Sequence, residues 1–142
     1  MPKKINKEQK EFLDKAEKCF DLAGEAIAQA RFREGLREIF ALAENGNRYI
    51  NSAAPWTAIK KSREQAENDL AVAAQVIRCL GILIRPYLPK TAENIAKMFI
   101  KGAPKNKWQY PKAADFSVGN IVPLYRKIED EEIKEQISQL RK

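Results

Sequence analysis

The stretch Asn47-Arg48-Tyr49-Ile50-Asn51-Ser52-Ala53-Ala54-Pro55-Trp56 carries two asparagines one helical turn apart, runs into small residues, and meets a proline followed at once by a tryptophan. Proline fixes its own φ and has no N–H, so a helix tolerates it only in the first turn. Pro55 therefore closes one helix and opens the next. Trp56 falls at the corner between them, where a large flat ring can face solvent. Upstream, Phe32, Leu36, Ile39, Phe40, Ala43 and Ile50 recur at helical spacing and predict a helix from Phe32 to about Ala53. Asn47, seven residues after Phe40, falls on its buried stripe. Before it, Phe12, Leu13, Ala16, Cys19, Phe20, Ala23, Ile27 and Ala30 mark a helix from about Lys7 to Ala30. So short a connection makes the two antiparallel neighbours. Gly24 lies inside that stripe at a cost of about 1 kcal/mol relative to alanine, which close helix packing would explain.

Downstream, residues 57–63 provide one or two helical turns, and Ser62 with Gln65 has capping-box spacing, so another helix begins near Arg63. Leu70, Ala73, Ala74, Ile77, Leu80, Gly81, Ile84 and Leu88 form its stripe. Val72, Val76, Cys79 and Leu83 widen it, as in the central helix of a bundle. Pro86 and Pro89 bend or end it, and Pro89 restarts a shorter helix with Ile95, Met98 and Phe99 inward and Gly102 as its stop. From Ala103 to Lys127 periodicity is lost among Pro104, Pro111, Gly119 and Pro123. Trp108, Tyr110 and Phe116 mark this segment as an ordered loop held by aromatic anchors. A last helix, from about Glu129 to Leu140, has Glu129, Asp130, Glu131 and Glu132 in its first turn and Arg141 and Lys142 at its end, as the macrodipole favours. Ile133, Ile137 and Leu140 are expected to dock it. With no strand signal and no repeat, the expected fold is all-α, a bundle of about five helices with a long ordered loop before the last, in one domain over residues 1–142.

A chain of 142 residues can bury about two thirds of its unfolded surface without staples. Cys19 and Cys79 stand apart on apolar faces and read as two buried thiols. The absence of histidine removes the commonest general base, the Ser-His and Cys-His nucleophile pairs and most zinc sites, so no catalytic residue and no metal ligand is assigned. The basic start lacks the apolar run of a secretory signal, and no stretch spans a membrane, so a cytoplasmic protein without membrane contact is expected. The formal charge of +7 invites a polyanionic partner. Its excess sits in two blocks: seven Lys or Arg against three Glu between Arg31 and Arg63, and six against one Asp between Lys101 and Lys127.

Three motifs in order, residues 39–56 (Ile39 to Trp56), residues 80–92 (Leu80-Gly-Ile-Leu-Ile-Arg-Pro-Tyr-Leu-Pro-Lys-Thr-Ala92) and residues 123–129 (Pro123-Leu-Tyr-Arg-Lys-Ile-Glu129), resemble the C-terminal helical domain of methionyl-tRNA synthetases over nearly the whole chain. Related class I synthetases for leucine, isoleucine, valine or cysteine share such domains, but the spacing from Asn-Arg-Tyr to Pro-Trp favours methionine. The resemblance implies recognition of the CAU anticodon loop of methionine tRNA, tRNA(Met), in support of methionine attachment. It makes Trp56 the ring that stacks on the first anticodon base and Pro55 the residue that presents it. Stacking on aromatic faces and hydrogen bonds to base edges are how unpaired RNA bases are read. Asn47 and Asn51 offer amides that donate and accept, and Arg48 a fork of donors; equally, Asn47 and Asn51 fit structural hydrogen bonds between helices. Lys60, Lys61 and Arg63 would meet the RNA backbone.

The third motif departs from the family pattern, with Lys127 where an arginine is usual and Arg126 before it. A phosphate contact survives that change, a bidentate one does not, and both side chains also suit pairing with Glu129 or Asp130. The family's His-containing nucleotide signature and Lys-Met-Ser-Lys-Ser-type loop are missing, as is the preceding helix with an Asn and an Arg one turn apart. The chain thus reads as a fragment or one piece of a split enzyme. ATP and methionine would bind a catalytic domain in cis or on a separate chain, and no cofactor is assigned here. The competing expectation is a helical protein-interaction or assembly module without RNA binding, whose sign would be an exposed apolar groove in place of a basic, aromatic face.

Overall fold

The computed structural model describes residues 5–112 and 116–140. The basic residues 1–4, Asp115, Arg141 and Lys142 lie outside the described residues. The order is α1 (Lys7–Ala28), α2 (Phe32–Ala53), α3 (Pro55–Ala58), α4 (Arg63–Leu83), α5 (Pro89–Lys97), β1 (Phe99–Lys101), β2 (Ser117–Val118) and α6 (Asp130–Leu140). The all-α expectation holds, with α3 a single turn between the longer helices.

α1 starts on a complete capping box: Gln9 N donates to Asn6 Oδ1 at 2.8 Å and Asn6 N to Gln9 Oε1 at 2.9 Å. It ends through Ala30 at φ 57°, with Arg31 N donating to Ala26 O at 2.8 Å, so the chain reverses within three residues. α2 then returns antiparallel. Phe12 near the start of α1 stacks on Tyr49 near the end of α2, with ring centroids 4.8 Å apart. At the other end a Cβ on Gly35 would lie 3.3 Å from Ala23 O. α4 completes the three-helix core. Phe12, Ala16, Cys19 and Phe20 of α1 meet Ile39, Leu42 and Tyr49 of α2 and Val72, Val76, Cys79 and Leu83 of α4. Each such large apolar side chain contributes about 1.5–3 kcal/mol when fully buried.

The registers of α2 and α4 differ from the expected stripes. Phe40, Leu70 and Ile77 are exposed, while Leu42 and Tyr49 of α2 and Asp69, Gln75 and Arg78 of α4 are buried. Both helices carry apolar residues on more than one face. What selects the inner face is the set of polar groups that find partners there: Tyr49 Oη and Gln9 Nε2 donate to Asp69 Oδ1 at 2.8 and 2.7 Å. Ser62 caps α4 by accepting from Gln65 N at 3.2 Å, but the Gln65 amide turns to Asp69.

Gly24 is explained by the loop, not by a helix. A Cβ there would sit 2.9 Å from Trp108 Nε1, which donates to Phe20 O at 3.1 Å. Trp108 and Tyr110 both meet Phe20 edge-on, as anchors should. The strand pair β1–β2 was not expected; segments of two and three residues are too short to display alternation. The expected docking of the last helix is also corrected: Ile133, Ile137 and Leu140 are exposed and no α6 residue is buried. Its apolar stripe has the right period but no partner among the described residues.

Candidate nucleic-acid interface

The corner after α2 is fixed by its backbone. Ala54 is the C-cap of α2 at φ 41°, a left-handed conformation, and its carbonyl accepts from Thr57 N at 2.8 Å and Ala58 N at 2.9 Å. Pro55 is buried at the first position of α3, where its missing N–H costs nothing. Ile59 N then bonds Pro55 O at 3.0 Å and Ser62 N bonds Ala58 O at 2.8 Å, so hydrogen bonding is continuous into the cap of α4. Trp56, one residue beyond the buried proline, is 59% exposed. Pro55 and Trp56 thus divide as the sequence suggested, one inward and one outward.

Asn47, Arg48 and Asn51 are exposed on the neighbouring turns of α2. The buried-stripe expectation for Asn47, and with it the inter-helix alternative for Asn47 and Asn51, is therefore corrected: Tyr49 takes the inward position, and the two asparagines are exposed. Arg48 donates to Asn45 Oδ1 at 3.1 Å and lies 3.8 Å from Glu44, both exposed contacts that water and salt weaken. Lys60, Lys61 and Arg63 follow on the same corner and are exposed, with Arg63 bonded to Glu67 at 2.7 Å. That bond raises the Arg63 pKa above its already high ordinary value.

Arg126 and Lys127 are not part of this cluster. Tyr125 hydrogen-bonds Thr91 at the start of α5, beyond the far end of α4, and α4's 21 residues span about 30 Å from Arg63 to that end. Arg126 makes a bidentate pair with Glu132 at 2.6 and 2.6 Å, and Lys127 lies 3.6 Å from Glu129.

Two residues that the sequence did not single out, Gln9 and Asp69, hold the corner together with Tyr49 and Gln65. Asp69, buried on α4, accepts from Gln9 of α1, Tyr49 of α2 and its own neighbour Gln65, and so ties three helices beneath the exposed turn of Asn47, Arg48 and Asn51. Burial first, then the hydrogen bond to Asp69, pushes the Tyr49 phenol well above its ordinary range. A signal was present: an acid at the heart of a wide apolar helix demands donors, and Tyr49 lies seven residues after Leu42.

Burial also raises the two thiols, Cys19 to about 11 and Cys79 to about 12 from an ordinary 9.0. A group whose folded pKa is raised stabilises the fold below its unfolded pKa and loses that contribution as pH rises. Stability should thus be level up to about pH 9 and fall between pH 9 and 12. Urea midpoints across that range would check it, with Cys79→Ala expected to flatten part of the slope.

Among the described residues no group of His, Cys, Asp and Glu is arranged to hold a metal, and no helix is long and apolar enough to cross a membrane. What the corner offers is an exposed indole, amides and cations on a rigid backbone. Compared with known proteins, residues 2–141 match the family model described as the anticodon binding domain of methionyl tRNA ligase.

The chain belongs to that anticodon-binding family. Among its relatives are methionine–tRNA ligases of Methanobrevibacter smithii, 36% identical over 95% of this chain, Thermococcus kodakarensis, 34% over 91%, and Methanosphaera stadtmanae, 31% over 94%. The chain spans only 21%, 17% and 22% of those proteins' own lengths. In this anticodon-binding domain the match runs through all of α1 to α6, Trp56 and the Asn47–Asn51 face included.

Proposed function

We propose that the corner binds the anticodon loop of methionine tRNA, with Trp56 stacking on the first base of CAU and Asn47, Arg48 and Asn51 facing base edges. Lys60, Lys61 and Arg63 carry the adjoining phosphates. The observation that carries this reading is the exposed Trp56 ring set directly after a buried proline. An apolar ring of that size, held out by a hydrogen-bonded corner with exposed amides on the helix before it and exposed cations on the turns after it, suits base stacking, which is worth about 1–3 kcal/mol per base. The domain thereby supports methionine attachment, while ATP and methionine bind a catalytic domain joined in cis or supplied as a separate chain. Arg126 and Lys127 are left to their ion pairs and the far end of the bundle.

Quenching of tryptophan fluorescence on titration with methionine tRNA tests the reading. Binding should weaken at least tenfold when CAU is replaced, and weaken with salt in proportion to the phosphates neutralised. Equal affinity for a tRNA of unrelated anticodon would reduce the interface to general polyanion binding.

A further inference from the structure

A second cationic site lies away from Trp56. The loop over residues 102–112 folds against the C-terminal half of α4 and encloses a cleft of about 340 Å³, lined by Arg78, Lys105, Lys107, Tyr110 and Lys112 among others. That volume is at the small end of the range of about 300–1,000 Å³ common for ligand sites. Four cations line the cleft, and among the described residues no carboxylate does. Asp14 and Glu17 of α1 act on Tyr110 from outside it.

Arg78 sets this cleft apart from a solvated lysine face. It is only 5% exposed, and among the described residues no carboxylate oxygen lies within salt-bridge distance of its guanidinium. Its Nε donates to Gly102 O at 2.7 Å, its Nη1 donates to Gln75 Oε1, and the Phe116 ring lies 5.1 Å from its Cζ. Gln75 in turn donates to Pro111 O at 2.6 Å, so both ends of the loop are tied to the residues that hold the arginine. Among the described residues this buried charge meets only neutral acceptors and an aromatic ring, which compensate it incompletely, and burial works against its charged form. Three lysines converging on the same cleft add to the excess. The planar guanidinium fork matches phosphate oxygens, and lysine ammonium groups supply point charges at the rim.

We propose that this cleft is a phosphate-binding site, filled by a phosphodiester of an RNA backbone or by a free phosphate group, and separate from the Trp56 corner. The Arg78 Nε–H and Gln109 side-chain amide resonances of the full chain report on it. In a low-salt chloride buffer, inorganic phosphate should shift them saturably, and the variant Lys105→Gln/Lys107→Gln/Lys112→Gln should bind at least tenfold more weakly. These lysines are exposed, so the fold is expected to survive. Trp56→Ala should leave the titration unchanged, so that failure of the anticodon reading and failure of this site are told apart. If RNA is the source, an oligouridine shifts the same resonances at lower concentration than phosphate, and the triple variant lowers its salt slope by about 1–2. If free phosphate is the source, phosphate shifts them and the oligouridine does not. The absence of a saturable shift with either, or unchanged affinity in the triple variant, would overturn the site.

Discussion

Trp56→Ala is expected to weaken binding of methionine tRNA about 5- to 150-fold without lowering the stability of the fold. The range is the stacking contribution of about 1–3 kcal/mol for one base, converted at 1.4 kcal/mol per tenfold. Stability should hold because the ring is mostly exposed and Pro55, not Trp56, fills the space beneath the corner. Trp56→Phe should recover part of the loss, since a smaller ring still stacks. Fluorescence cannot follow the alanine variant well, so filter binding or calorimetry is the suitable measurement. A similar loss for Trp108→Ala would point instead to general damage, because Trp108 is a loop anchor packed on Gly24 and Phe20.

Asp69→Ala should be the most costly change among the polar positions of the corner, about 2–4 kcal/mol in urea unfolding. It removes the acceptor of Tyr49 Oη and Gln9 Nε2 at once and leaves both donors buried. Against a total of about 5–15 kcal/mol, that is a large fraction. Asp69→Asn should cost less, because one oxygen still receives Tyr49 and Gln9 and the Gln65 amide can turn its own oxygen towards the new donor. Binding should weaken in Asp69→Ala even where the chain remains folded, since the turn carrying Asn47, Arg48 and Asn51 loses its anchor to α1 and α4. Tyr49→Phe provides the partial version, removing one of the donors that Asp69 accepts.

How far the sequence could be read follows from how local each cause is. Pro55 and Trp56 were legible because proline's constraint acts on its own residue and the next. The Ser62 cap was legible for the same reason. The inner face of α2 was not, because Phe40 and Leu42 are both apolar and only the partners of Tyr49, eventually Asp69 and Gln9, decide which turns inward. Asn47 goes with that choice: counted from Phe40 it falls on the stripe expected to be buried, whereas Tyr49 takes the inward position and both asparagines are exposed. Gly24 signalled close approach correctly, but its neighbour, Trp108, lies 84 residues further along the chain, a distance no helical period conveys. The stripe of Ile133, Ile137 and Leu140 has the right spacing, yet periodicity names a face without supplying what covers it. Arg78 was hidden among apolar neighbours, and its burial emerges only when the loop closes over it.

The central claim, that Trp56 stacks on the first base of the anticodon, is tested most directly by removing each partner singly and together. An anticodon stem-loop with CAU and one with an abasic first position would be titrated against the unaltered chain and Trp56→Ala. Trp56→Ala should cost about 5- to 150-fold with the intact loop and less than about twofold with the abasic one, because the ring then has no base to lose. Equal losses with both loops would contradict the account.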